Sequence, residues 1–158
     1  MLKWYHPNPL VRLKATCHVL HGRLDSVLAD VYQAIGISKL EGSVLSVVEC
    51  TTTPLTVPQI ARILGHSRQA IQGAVTNLQV AELLGTARNP HHKRSSLLRI
   101  TPAGLAAVAQ ARQQADDIAR PILAQIDSNK IKVLTKELFA LLTEIEEAIL
   151  DVEGVNRQ

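Results

Sequence analysis

The chain has 158 residues, 46% of them apolar, and a formal charge of +3 from 17 Lys and Arg against 14 Asp and Glu. That is enough apolar material for one globular unit, or a small domain with arms, built on a real core. Two cysteines exclude a disulfide framework, no segment approaches membrane-spanning length, and the start through Pro7 lacks the apolar run of an export signal; the expectation is a cytoplasmic protein with no membrane partner.

Asn8 is placed to cap a helix opened by Pro9, in which Leu10, Leu13, Cys17, Leu20, Leu24, Val27 and Val31 recur in alternating steps of three and four until Gly36. That is a heptad seam. Ser38-Lys39-Leu40-Glu41 is a capping box for a second helix, with Leu40, Val44, Leu45, Val47 and Val48 inside, ending before Thr51-Thr52-Thr53-Pro54. Thr56-Val57-Pro58-Gln59 is another box: the Thr56 hydroxyl can take the Gln59 N–H, the Gln59 side chain can reach back, and Pro58 sits where its missing N–H costs nothing. Ile60, Ala61, Ile63 and Leu64 give this short helix an apolar face, and Gly65 supplies a left-handed stop. Ser67 is a good N-cap for the next helix, where Ile71, Ala74, Val75 and Leu78 face inward and Arg68, Gln69, Gln72, Gly73 and Thr76 face outward.

Residues 83–88 and 95–100 read as two short strands around a tip of Asn89-Pro90-His91-His92-Lys93-Arg94. Thr101-Pro102 then caps a long alanine-rich helix that is expected to bury Leu105, Val108, Ala109, Ala115, Ile118, Ile122 and Ile126 and to bend at Pro121. After Asp127-Ser128 the last helix repeats Ile131, Leu134, Leu138, Leu141, Ile145 and Val152, a stripe widened by Leu142 and Ile149.

Two short capped helices followed by a basic hairpin make the outline of a winged helix-turn-helix. The fold class is therefore mainly α, with long N- and C-terminal helices forming a dimerisation region. The division follows as residues 1–36 for an N-terminal dimerisation helix, 37–101 for a DNA-binding winged domain, and 102–158 for C-terminal dimerisation helices. A recognition helix needs hydrogen-bonding residues near its N-terminus to reach base edges, which Arg68, Gln69 and Gln72 provide, although any amphipathic surface helix also turns polar residues outward. Charge favours the nucleic-acid reading. Between residues 61 and 99 six bases (Arg62, Arg68, Arg88, Lys93, Arg94 and Arg99) face Glu82 alone, so this segment carries +5 and the remainder is net acidic by two. With one Trp, one Phe and two Tyr, base-stacking platforms for single strands or RNA are a poor fit. The terminal helices are each apolar along one side, more than one small wing domain can cover. Pairing with a second copy buries the surplus through Leu10, Leu13, Leu20, Leu134, Leu138, Leu141 and Ile145; an intramolecular bundle is the other solution.

These residues resemble the MarR-type (multiple antibiotic resistance) transcriptional regulators. The matching elements are Leu55-Thr56 with Ile60-Ala61 and Leu64-Gly65, Ser67 through Leu78 with Leu83-Leu84, and the wing closing in Arg94-Ser95 with Leu98-Arg99-Ile100-Thr101-Pro102-Ala103-Gly104. The resemblance implies a homodimer that binds duplex DNA on a pseudo-palindromic operator, as a repressor or less often an activator, and is commonly released by a small-molecule effector or an oxidant. It points to Ser67, Arg68, Gln69, Gln72, Gly73, Thr76, Arg88, His91, His92, Lys93 and Arg94 as the DNA-contacting set. Two positions depart from the family pattern. Glu82 stands where a glycine usually follows the recognition helix, so that turn is either built differently or strained by about 1 kcal/mol or more. His92 stands where an acid usually braces the wing arginine, here Arg94.

Cys17 lies on the seam of the first helix, with Tyr32 two turns or more downstream, and some peroxide-sensing members of the resembled family carry a reactive cysteine on this helix. Cys17 is thus the candidate redox residue; the competing reading makes Cys17 and Cys50 small buried hydrophobes. His18 and His21 share a helix face at a metal-ligand spacing, but further ligands are missing from the alanine-rich helix, and no metal or other cofactor is expected. The sequence has no Gly-rich phosphate loop, nucleophile elbow or paired acids in an apolar setting, so no enzymatic activity is expected. A winged-helix module that binds protein rather than DNA is the alternative function, but it has no need of the charge concentrated between residues 61 and 99.

Overall fold

The computed structural model of the chain describes residues 6–28, 30–90 and 95–155. The elements run α1 (Pro9–Val27), α2 (Asp30–Gln33), α3 (Lys39–Cys50), α4 (Val57–Leu64), α5 (Arg68–Val80), β1 (Leu84–Ala87), β2 (Leu97–Ile100), α6 (Pro102–Leu123) and α7 (Ser128–Val155). They group into two compact units, one ending at Ile118 and one beginning at Ala119, so that α6 passes from the first into the second. The first unit is a winged helix-turn-helix preceded by a long helix.

Its core is made by α3, α4, α5 and the hairpin. Val44, Leu45, Ile60, Ile71, Val75 and Leu78 are almost wholly buried, and Leu84, Leu98 and Val108 close the cluster from the hairpin and α6. Local signals set the helix ends. Asn8 Oδ1 accepts from the N–H of Leu10 (2.9 Å) and Val11 (3.3 Å). The Ser38 box closes in both directions: Glu41 Oε2 accepts from the Ser38 N–H at 2.7 Å, and Ser38 Oγ accepts from the Glu41 N–H at 3.3 Å. At Thr56 the glutamine does most of the capping. Gln59 Oε1 accepts from both the Thr56 N–H (2.8 Å) and its hydroxyl (2.7 Å), while the Gln59 N–H reaches the Thr56 carbonyl at 3.0 Å. Gly65 takes φ 66° and ends α4 with His66 N–H on the Ala61 carbonyl at 3.0 Å.

The two strands pair antiparallel, Leu84 opposite Ile100 and Thr86 opposite Leu98, and are shorter than the sequence pattern suggests. On the outer edge of β2 the Leu98 N–H donates to the Leu55 carbonyl at 2.8 Å, which ties the segment before α4 to the wing.

The heptad seam does not extend to Val31. The first helix stops at Val27, with Leu28 outside helical geometry, and after the interruption α2 turns Val31 into the core at 4% exposure. After the break Val31 is buried, and Tyr32 packs against the core that α3 builds. Gly42 accommodates that ring, since a Cβ there would lie 2.2 Å from Tyr32, and the Tyr32 hydroxyl meets Ser46 Oγ at 3.2 Å. Ile63 is the second correction: it sits on the solvent side of α4, because Ile60 and Ala61 fill the contact with α5. The third concerns α6. Val108 and Ala111 are buried and Ala115 and Ile118 half-buried, but Leu105, Ala109, Ile122 and Ile126 are exposed in the single chain. A stripe of that length exceeds what the winged core covers.

In the second unit the helix runs through Pro121 for two more residues and then unwinds, with Gln125 N–H on the Ile122 carbonyl at 3.0 Å. Asp127 Oδ1 caps α7 through the Asn129 N–H at 2.9 Å. Leu134, Leu138, Leu142, Ile149 and Val152 are exposed along α7, while Leu141 and Ile145 are half-buried.

Candidate nucleic-acid interface

Helix α5 is aimed by its inward face. Ile71, Ala74, Val75 and Leu78 recur at three- and four-residue steps, are all buried, and fix the rotation that leaves Arg68, Gln69, Gln72, Gly73 and Thr76 exposed. Ser67 Oγ caps the helix through the Ala70 N–H at 3.1 Å, so Arg68 and Gln69 occupy a free first turn where the helix dipole also favours an anion. The Thr76 hydroxyl donates back to the Gln72 carbonyl at 2.9 Å. Gly73 is the odd member, since glycine in a helix interior costs about 1 kcal/mol relative to alanine. Nothing among the described residues explains it, for a Cβ at Gly73 would meet none of them within 4 Å.

A cleft of about 610 Å³ opens between α5 and the base of the wing. Arg68, Gln69, Gln72 and Gln79 form one wall, Thr86, Ser95 and Ser96 the other, with Val57 and Pro58 at one end and Val75 and Leu98 at the floor. Three residues expected from the sequence, Arg68, Gln69 and Gln72, therefore converge on one space. Ser67 stays behind them as the cap, and Gly73 and Thr76 lie on the exposed face outside the cleft lining. Arg88 is exposed just beyond β1. His91, His92, Lys93 and Arg94 lie outside the described residues. Thr86, Ser95, Ser96 and Gln79 were not singled out by sequence. Gln79 had a signal, one heptad after Gln72 on the same face; the hydroxyls had none, because only the folded hairpin brings Thr86 on β1 and Ser95 and Ser96 before β2 to the side of the helix.

The end of α5 resolves the question posed by Glu82. The Leu83 N–H donates to the Leu78 carbonyl at 2.8 Å and the Glu82 N–H to the Gln79 carbonyl at 3.0 Å, the paired hydrogen bonds of a Schellman turn. The turn is the one glycine normally makes, and Glu82 occupies it at φ 59°. Nearby electrostatics tie α5 to α3: Asn77 Nδ2 donates to Glu41 Oε1 at 2.7 Å. Burial pushes the Glu41 carboxyl up, but the Ser38 N–H, the Asn77 amide and the Ser38 hydroxyl together hold it below its ordinary value.

Both cysteines are exposed in the single chain, so neither is a buried hydrophobe. Cys50 donates to Glu49 Oε2 at 3.3 Å; that hydrogen bond, then burial and the carboxylate's charge, push its thiol pKa up. Glu49 also pairs with Arg112 on α6, which holds the carboxylate below its usual range. Cys17 lies on the seam side of α1. Among the described residues no three of His, Cys, Asp and Glu cluster as a metal would need, and no helix is long and apolar enough to cross a membrane.

Residues 35–95, which hold α3, α4, α5 and β1, match the MarR family model. The winged core is thus similar to the MarR family. An uncharacterized protein of Mycobacterium tuberculosis strain H37Rv is 34% identical over 90 residues, covering 49% of this chain and 63% of that relative. The chain thus spans under two thirds of the length of the curated relatives it matches. Among solved structures, the transcriptional regulator BldR from Sulfolobus solfataricus superposes with a TM-score of 0.71 at 19% identity, over 91% of this chain and 99% of that one. A mutant MarR from E. coli complexed with operator DNA gives 0.65 at 20% identity, over 85% and 96% of the two chains. The chain therefore keeps the fold of these regulators with few of their residues.

Proposed function

We propose that this protein is a sequence-specific duplex-DNA-binding transcriptional regulator that acts as a homodimer on a pseudo-palindromic operator. The observation that carries the reading is the exposed face of α5, where Arg68, Gln69 and Gln72 open onto the cleft beside the wing in the segment that concentrates the positive charge. Residues 37–101 read the DNA: Gln69, Gln72, Gly73 and Thr76 address base edges, while Ser67, Arg68, Arg88, His91, His92, Lys93 and Arg94 hold phosphate or enter the minor groove. The operator-bound MarR structure supports this mode by its fold.

Residues 1–36 and 102–158 supply the dimer contacts. Leu10 and Leu20 on α1 and Leu134 and Leu138 on α7 are exposed in the single chain, with Leu13, Leu141 and Ile145 half-buried beside them. Exposed apolar stripes on two long helices are what a second copy covers. Two recognition helices about one turn of DNA apart then occupy successive major grooves, and occupancy of a promoter makes the protein a repressor. A small-molecule effector has an entry point in the cavity of about 120 Å³ lined by Leu28, Val31, Tyr32, Ser46, Val108 and Arg112, which must widen to hold an ordinary ligand. Oxidation at Cys17 is the other route to release.

Selection of bound genomic fragments by the purified full chain, followed by titration of the recovered sequence, tests the reading. A palindromic site bound with log K falling against log salt at a slope of about −7, for about eight phosphate contacts, is the expected result. No enriched site, or a slope near zero, overturns it and leaves a protein-binding module. Sedimentation giving a monomer at micromolar concentration removes the dimer, which Leu138→Lys with Leu141→Lys should dissociate.

A further inference from the structure

The turn that ends the recognition helix is held from outside by the residue that opens α6. The Thr101 hydroxyl donates to the Glu82 carbonyl at 2.7 Å, with the Leu83 carbonyl also in range at 3.1 Å, and accepts from the Gly104 N–H at 3.0 Å. The Thr101 N–H adds a bond to the Leu83 carbonyl at 3.2 Å. Glu82 and Leu83 are the two residues that close the Schellman turn of α5, and Glu82 holds a left-handed conformation that a non-glycine residue does not keep without support. The approach is close: a Cβ on Gly104 would come within 2.2 Å of the Leu83 carbonyl oxygen and 2.8 Å of Ile100. One side chain thus caps α6, fastens the C-terminal turn of α5, and sits at the end of β2.

We infer that Thr101 is a positioning residue for DNA reading, one that locks the orientation of the recognition helix and the root of the wing to helix α6. The inference rests on the proposed DNA-binding function and adds the path by which a displacement of α6 reaches the base-reading face. The hydroxyl is suited to this because it donates and accepts at once; a carbonyl or methyl in its place serves only one partner or none. Leaving the Glu82 carbonyl unpaired beside a strained φ lets the turn relax toward a right-handed conformation, which rotates the last turn of α5 and the strand that follows it.

The test uses the full chain and the operator selected by the wild type. Thr101→Val removes the hydroxyl at constant shape, Thr101→Ser restores it, and Thr101→Asp keeps an acceptor to cap α6 while removing the donor to Glu82. Thr101→Val is expected to bind operator about tenfold more weakly with unchanged helical content, and Thr101→Ser within about twofold of wild type. Should Thr101→Val fail to fold, Thr101→Asp takes its place, compared at two salt concentrations, since a pure charge effect shrinks with salt and a lost latch does not. Hydrogen exchange at the Glu82 and Leu83 amides gives a readout independent of DNA, faster in Val and Asp and slow in Ser. Folded Thr101→Val that binds as wild type, or Thr101→Ser as weak as Thr101→Val, overturns the inference. A wild type that binds no DNA defeats the proposed function instead, while amide exchange still reports on the latch.

Discussion

Gly73→Ala separates what the fold needs from what a partner needs, because stability and binding should move in opposite directions. Gly73 lies in the middle of α5, is exposed, and has no neighbour within 4 Å of where a Cβ would stand. Alanine there clashes with nothing and gains the helix-propensity difference of about 0.8–1.0 kcal/mol. For a chain of this size that raises the melting temperature by roughly 2–4 °C. If α5 reads DNA as proposed, the added methyl would occupy space through which its backbone approaches base edges. Losing one well-made base contact costs about 1–3 kcal/mol, a drop of roughly 5- to 150-fold in specific affinity, with nonspecific binding little changed. Thermal unfolding followed by circular dichroism and fluorescence anisotropy with specific and scrambled duplexes measure both. A variant that melts higher and binds as tightly as wild type would show that this face of α5 is not at the DNA. One that melts lower would show that the space around Gly73 is filled in solution.

Glu82→Gly places at φ 59° the residue that adopts it without strain; relief of about 1–2 kcal/mol less about 0.5–1 of added backbone entropy leaves a gain of about 0.5–1 kcal/mol in denaturant unfolding, and a loss would mean the turn depends on the glutamate side chain. Glu41 has a depressed carboxyl pKa, so its stabilising contribution is present above the unfolded value of about 4.3 and is lost as pH falls through the folded value; Glu41→Gln should flatten the acid limb of the stability profile below that pH, and an unchanged limb refutes it. In a Cys17→Ser background, Cys50 should alkylate more slowly at pH 8 than a free thiol, and Glu49→Gln should speed it; equal rates would mean the Glu49 bond does not form in solution.

What was legible in the sequence was what depends on residues three or four apart. The Ser38-Glu41 box, the Asn8 and Ser67 caps and the left-handed Gly65 involve a side chain and backbone groups within one turn, so composition alone decides them. The inward face of α5 is equally local, and with it the outward exposure of Arg68, Gln69 and Gln72. Only the tertiary structure decided the rest. A heptad pattern cannot reveal that the first helix breaks at Leu28, because the reason is the core that receives Val31 and Tyr32 from α2. Nor can periodicity say which apolar stripe is covered, as Leu105 and Ile122 on α6 illustrate, since coverage depends on the area of the neighbour. The Thr86 hydroxyl reaches the cleft through strand register, Ser95 and Ser96 line it from just before β2, and Thr101 reaches Glu82 across 19 residues. Short-range hydrogen bonds are specified by adjacent residue types; contacts between distant segments exist only once burial of the core has brought those segments together.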